Sequence, residues 1–242
     1  MANIISFYGT DGSGKSTIAT EFSLLHPVGD SVMLGGSSYK EWLTPEVAKI
    51  TLGEKHMLGE PIGEVEDKIR LYEDIAIACY GLGHILADRG SEVVIDSDPI
   101  FKRIIWGTLG LSDEDAAEYV RHFEDRAQDV LGESSGADVI VGVNMEDSQA
   151  SAADILSRLT GRESNTEHDP TDINEMLTLD ERVNNVWAEI NLAKSGLSTI
   201  ASFNKALTNS AILTVQNPNC SPEQIIVQAK DIALELRSKI SI

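Results

Sequence analysis

Apolar positions along the chain fall into two alternating kinds of run. Short, nearly continuous runs rich in β-branched residues occupy 3–8, 31–34, 92–96, 138–143 and 211–215. They have the length and composition of strands buried on both faces. Between most of them lie longer segments in which apolar residues recur at helical spacing. Residues 16–25 place Ile18, Ala19, Phe22 and Leu25 on one face. Further helices are predicted over 68–87, 114–131 and 179–192, and a terminal helix, opened by Pro222, runs through Leu236. Such alternation predicts a three-layer α/β/α architecture with a central, mostly parallel five-stranded sheet and helices on both faces. The segment 161–171 is polar, contains Pro170 and separates two helical patterns, so it is expected to be an exposed loop with Arg158 and Arg162 at its base.

The first strand runs directly into Gly9-Thr10-Asp11-Gly12-Ser13-Gly14-Lys15-Ser16, followed by Thr17. Every fixed position of G-x-x-x-x-G-K-[ST] is filled, between a predicted strand and a predicted helix, as a phosphate-binding P-loop requires. Glycines let successive backbone N–H groups curl around a phosphate, and the helix that follows presents its unpaired N–H groups and positive dipole end. Lys15 can reach the β- and γ-phosphates of ATP, and the Ser16 hydroxyl can ligate Mg²⁺ between them. The motif alone leaves open hydrolysis, phosphate donation and nucleotide sensing.

Charge and composition narrow the partners. In 242 residues, 19 basic against 39 acidic side chains give a formal net charge of −20. Phosphate backbones and anionic membrane surfaces are repelled at long range, which disfavours duplex nucleic acid as a partner. An acidic surface also serves solubility or a salty habitat, so no mechanism follows from charge alone. Cys79 and Cys220 form no metal spacing and are expected to be reduced, buried thiols, which favours the cytoplasm. No signal peptide and no run of membrane-spanning length is read in the chain. The histidines His26, His56, His84, His122 and His168 show no metal spacing, and no Ser-His-Asp pattern accompanies them.

The run from Phe7 to Thr17 resembles the opening of thymidylate kinases, whose loop commonly reads F-E-G-x-D-G-S-G-K-S-T, with Tyr8 standing here where that family has glutamate. Three further segments fall in the order and spacing of thymidylate kinase-like and deoxynucleoside kinase-like enzymes. Residues 90–98 resemble the strand that ends in Asp-Arg at the catalytic cleft; Asp96 matches, and Ser97 replaces the arginine. Residues 136–144 resemble the strand before the lid, with Arg158 and Arg162 in the place of lid arginines and the lid itself at about 157–172. Residues 211–219 resemble the last strand and adenine-side loop.

The resemblance implies one kinase domain over 1–242, using ATP and Mg²⁺ and acting on a nucleotide or nucleoside. In it Asp96 orients the acceptor hydroxyl or holds Mg²⁺ through water, Asp11 contacts the acceptor sugar, and Arg158 and Arg162 close over ATP. Related kinases are often dimers, so a homodimer is admitted by the same analogy. A plainer reading stands beside each assignment. Asp96 and Asp98 can cap the turn before Pro99, the arginines can be a solvated helix end, and Asp11 can bond within its own turn.

On the acceptor side, about 36–90, the candidates are Tyr39, Trp42, Arg70, Tyr72 and Tyr80, with Arg103 beyond it; aromatics at helical spacing are also ordinary core residues. The position of Ile75 lacks the arginine that thymidylate kinases use for the acceptor phosphate. With Ser97, this departure points away from thymidylate, toward a nucleoside or another hydroxyl compound as acceptor, or toward grip by Arg70 and Arg103. The alternatives are a P-loop switch module without acceptor chemistry and a kinase for an unusual acceptor such as a modified base in DNA.

Overall fold

A computed structural model of the protein describes residues 4–10, 12–26, 31–35, 64–99, 112–132, 136–143, 173–194, 211–215 and 222–240. Ten elements follow one another: β1 Ile4–Tyr8, α1 Lys15–Leu24, β2 Ser31–Leu34, α2 Glu64–Asp88, β3 Glu92–Ile95, α3 Asp113–Leu131, β4 Val139–Val143, α4 Ile173–Lys194, β5 Ala211–Val215 and α5 Pro222–Ile240. The five strands form one sheet in the order β2-β3-β1-β4-β5 with every pairing parallel. All carboxyl ends therefore share one edge, and β1 is the central strand.

Side-chain alternation along the strands sorts the core into two layers. Ile4, Tyr8, Val93, Ile95 and Ile140 pack with Ile77 and Tyr80 of α2, Phe123 of α3 and Val183 and Trp187 of α4. Ile5, Phe7, Val94, Val139, Val141 and Val143 pack on the other face with Ile18 and Phe22 of α1 and Ala229, Ala233 and Leu236 of α5. Both faces of β1 are thus covered, which is why its sequence is a nearly unbroken apolar run. Ser6, the one aliphatic hydroxyl in it, lies on the first face and is fully buried. The expected thiol burial holds for Cys79, which is enclosed within α2's packing face; Cys220 lies outside the described residues.

Three helices begin or end more than one residue beyond the spans that apolar spacing predicts. α2 starts at Glu64, four residues before the expected 68, because Glu64, Glu66 and Asp67 are residue types suited to the positive end of a helix. α4 spans 173–194 rather than 179–192, and α5 continues to Ile240. The start of α3 is set by Ser112, whose Oγ accepts from the Asp115 backbone N–H at 3.2 Å. Ser112→Ala is expected to cost about 1 kcal/mol, read as a lower midpoint in urea unfolding with an unchanged slope.

At the edge opposite the carboxyl ends, Arg237 of α5 closes the structure. Its guanidinium bonds both Glu92 carboxylate oxygens, donates to the Phe22 carbonyl at 2.7 Å and lies 3.7 Å from the Phe22 ring centroid. One side chain so joins α1, β3 and α5, with the planar fork satisfied on both sides. Among the described residues, no helix is long and apolar enough to cross a membrane.

Candidate active site at the carboxyl edge of the sheet

β1 delivers the chain into the P-loop at the middle of the carboxyl edge, next to β3 on one side and β4 on the other. Gly9 is wedged there: a Cβ at this position would stand 2.7 Å from the Val143 carbonyl oxygen, and its φ of 153° suits glycine. The loop then tightens, with the Ser13 N–H donating to the Thr10 carbonyl at 3.1 Å, and Gly12 and Gly14 take φ of 88° and 90°. Gly14 is the N-cap of α1, carries no side chain to cap it, and no acidic residue stands in the first turn.

This geometry fits a polyphosphate and Mg²⁺. The N-terminal N–H groups of α1 and its positive dipole end face the loop with no carboxylate of the first turn competing for them. Lys15 is 5% exposed and its Nζ donates to the Thr10 carbonyl at 3.3 Å, folding the charge back over its own loop. Ser16 is exposed and Thr17 half-buried, so the Ser16 hydroxyl at the head of the helix is accessible to a metal ion.

Beyond β3 the chain continues alongside β1. The Asp96 N–H donates to the Leu34 carbonyl at 3.1 Å, and the Asp98 N–H donates to the Phe7 carbonyl at 2.7 Å. Asp96, Ser97 and Asp98 are all buried. Asp96 lies against Gly35, the residue after β2: a Cβ on Gly35 would come within 1.9 Å of Asp96 Oδ1. The missing side chain at Gly35 is the space that the carboxylate occupies.

Asp98 does more than cap a turn before Pro99. Its Oδ2 accepts from Ser6 Oγ at 2.7 Å and from Tyr80 Oη at 2.5 Å. Burial, then the charge and hydrogen bond of Asp98, hold the Tyr80 phenol well above its ordinary pKa, so it stays protonated and donating. Tyr80, considered above as an acceptor-side aromatic, is a core residue with its hydroxyl turned to Asp98.

Tyr8, at the position where the resembling family has glutamate, donates its hydroxyl to the Val183 carbonyl at 2.7 Å and stacks on Trp187 with ring centroids 5.6 Å apart. It ties the strand before the loop to α4. Arg126 of α3, not singled out by sequence, bonds Glu73 at 2.9 Å and also Asp74 of α2. Its only sequence signal is a basic residue in an acidic helix, which reads equally well as a solvated face.

The structure therefore brings Gly9, Gly12, Ser13, Gly14, Lys15, Ser16, Thr17 and Asp96 to one edge of the sheet. Arg70 and Tyr72 lie on α2, with only their backbone described. Asp11, Arg103, Arg158 and Arg162 lie outside the described residues, as do the 157–172 segment, Tyr39 and Trp42.

A scan against protein-family models and a search of curated proteins both find no match. Among solved structures, a deoxyadenosine kinase from M. mycoides with bound dCTP is similar to this chain at 14% identity and a TM-score of 0.49, over 99% of this chain and 100% of that one. At that degree of likeness the functional reading rests on this chain's own residues.

Proposed function

We propose that the protein is a single-domain ATP-dependent kinase that transfers a phosphoryl group to a nucleoside or nucleoside monophosphate. The observation that carries this reading is the pairing, on one sheet edge, of a complete P-loop with a buried carboxylate, Asp96, one strand away. A buried carboxylate at that edge serves Mg²⁺ in a nucleotide switch as well as an acceptor in a kinase, and acceptor-dependent turnover is what separates the two readings.

In this reading the backbone N–H groups from Gly9 to Thr17 hold the donor phosphates, and Lys15 leaves the Thr10 carbonyl to lie against the β- and γ-phosphates. Ser16, and Asp96 through water, would hold Mg²⁺, which would supply positive charge to offset that of the phosphates. Asp96 orients the acceptor hydroxyl in line with the γ-phosphorus and takes its proton as the oxygen–phosphorus bond forms. The bond to the β–γ bridging oxygen breaks, and its electron pair leaves with ADP. By the resemblance, Asp11 would contact the acceptor sugar and Arg158 and Arg162 would close over the donor with the 157–172 lid excluding water, while Arg70, Tyr72 and Arg103 are the candidates for the acceptor. The departures at Ser97 and Ile75 favour a nucleoside over thymidylate.

The test is acceptor-dependent turnover. Purified protein with Mg-ATP is expected to form ADP slowly alone and many-fold faster with one member of a panel of nucleosides, nucleoside monophosphates and short oligonucleotides, stoichiometric with phosphorylated product. ADP formation that no acceptor stimulates would instead favour a nucleotide-driven switch. Salt-sensitive stimulation by an oligonucleotide would move the acceptor to nucleic acid.

A further inference from the structure

Asp98 is placed where a hydrophobic residue would ordinarily stand. It is 1% exposed, in the layer between the sheet and α2, and the two groups that donate to it, Ser6 and Tyr80, are 0% and 2% exposed. A carboxylate is costly to bury, and charge-assisted hydrogen bonds from two hydroxyls offset that cost. The three residues come from three different elements: Ser6 from the strand that feeds the P-loop, Tyr80 from α2, and Asp98 from the segment after β3. The backbone adds a fourth tie, because the Asp98 N–H donates to Phe7, the neighbour of Ser6.

The segment carrying Asp96 needs such ties. Regular pairing of β1 with β3 ends at Ser6 opposite Ile95, so Asp96 itself is past the ladder. The bonds at Leu34 and Phe7, together with the two at the Asp98 carboxylate, are what fix this stretch among the contacts described here. Shifting Asp98 moves a residue two positions from Asp96 and pulls on the strand three residues before Gly9. We infer that Asp98, gripped by Ser6 and Tyr80, is a positioning residue that sets Asp96 against the phosphate loop and links α2 to the transfer centre. The inference rests on the kinase reading above and names a part of its machinery that touches no substrate.

Tyr80→Phe removes one hydroxyl and keeps the ring, and Ser6→Ala removes the other donor. Each variant is to be assayed beside wild type and Lys15→Ala, with kcat expressed per nucleotide-binding site so that unfolded protein does not count. We expect kcat to fall about 10-fold or more, KM for ATP to stay within about twofold, and the Asp96 and Asp98 amides to exchange faster with solvent, since misplacing a reacting group by about 1 Å suffices for losses of this order. A role in stability alone would lower the number of binding sites and leave kcat per site unchanged; that result in both variants overturns the inference while wild-type turnover keeps the kinase reading. Absence of acceptor-dependent turnover in wild type overturns the kinase reading and this inference together.

Discussion

Lys15→Ala is expected to lower phosphoryl transfer by about 10²–10³-fold, the loss typical when one preorganised electrostatic partner of the transition state is removed. The side chain is almost wholly enclosed, and its described hydrogen bond, at 3.3 Å, is to a carbonyl of its own loop. Nothing in the core depends on that bond. Alanine is well tolerated in the first turn of α1, so the helix and the glycine turns before it are expected to remain. Nucleotide binding should weaken by far less than turnover, because the backbone N–H groups still hold the phosphates. Binding measured by calorimetry and transfer measured in a single turnover separate the two effects. Turnover near the wild-type rate would show that the loop is not where the donor sits.

A second large effect is expected at a residue that touches no substrate in the proposed mechanism. Gly35→Ala puts a methyl group 1.9 Å from Asp96 Oδ1 and 3.0 Å from its Cγ, at a φ of +130° that L-residues rarely adopt. The backbone strain alone costs on the order of 1–3 kcal/mol. The nearest obstacle is the far end of a side chain, so the carboxylate is expected to rotate away rather than the fold to fail. Gly35→Ala and Asp96→Asn should then behave alike, both losing acceptor-dependent transfer while retaining ATP binding. A folded Gly35→Ala protein with wild-type kcat would mean that Asp96 is not the acceptor's partner, and the assignment would pass to another group.

Most of the architecture was legible because it is written locally. Buried parallel strands are short apolar runs whatever their neighbours, and the P-loop is one contiguous stretch whose residue types each have a local reason. The five strands match expectation to within a residue at either end, and α2 was underestimated at its acidic start, where apolar spacing carries no information. The site beyond the loop was less legible because its contacts are distant in sequence. Asp96 and Asp98 look equivalent before a proline. What separates them is Gly35 on one side, and Ser6 and Tyr80 on the other, 92 and 18 residues from Asp98. Tyr8 could be noted as a departure from a familiar loop, but its bond to Val183 spans 175 residues. Arg126 stood out only as a basic residue in an acidic helix, since only folding shows that Glu73 and Asp74 face it.

The central place of β1 has a consequence for how the chain acquires this site. The strand is made first, yet its β3 partner arrives roughly 90 residues later and its β4 partner later still. Until β3 is made, Ile4, Ile5 and Phe7 have no neighbouring strand to pair with, so a sticky, β-prone segment stays unpaired while that intervening stretch is synthesised. Closing that long gap is the slow step that topology imposes, and the phosphate loop hangs from the strand that waits for it. The capacity to bind nucleotide should therefore emerge late and all at once, as the keystone strand is locked from both sides, rather than growing with the chain.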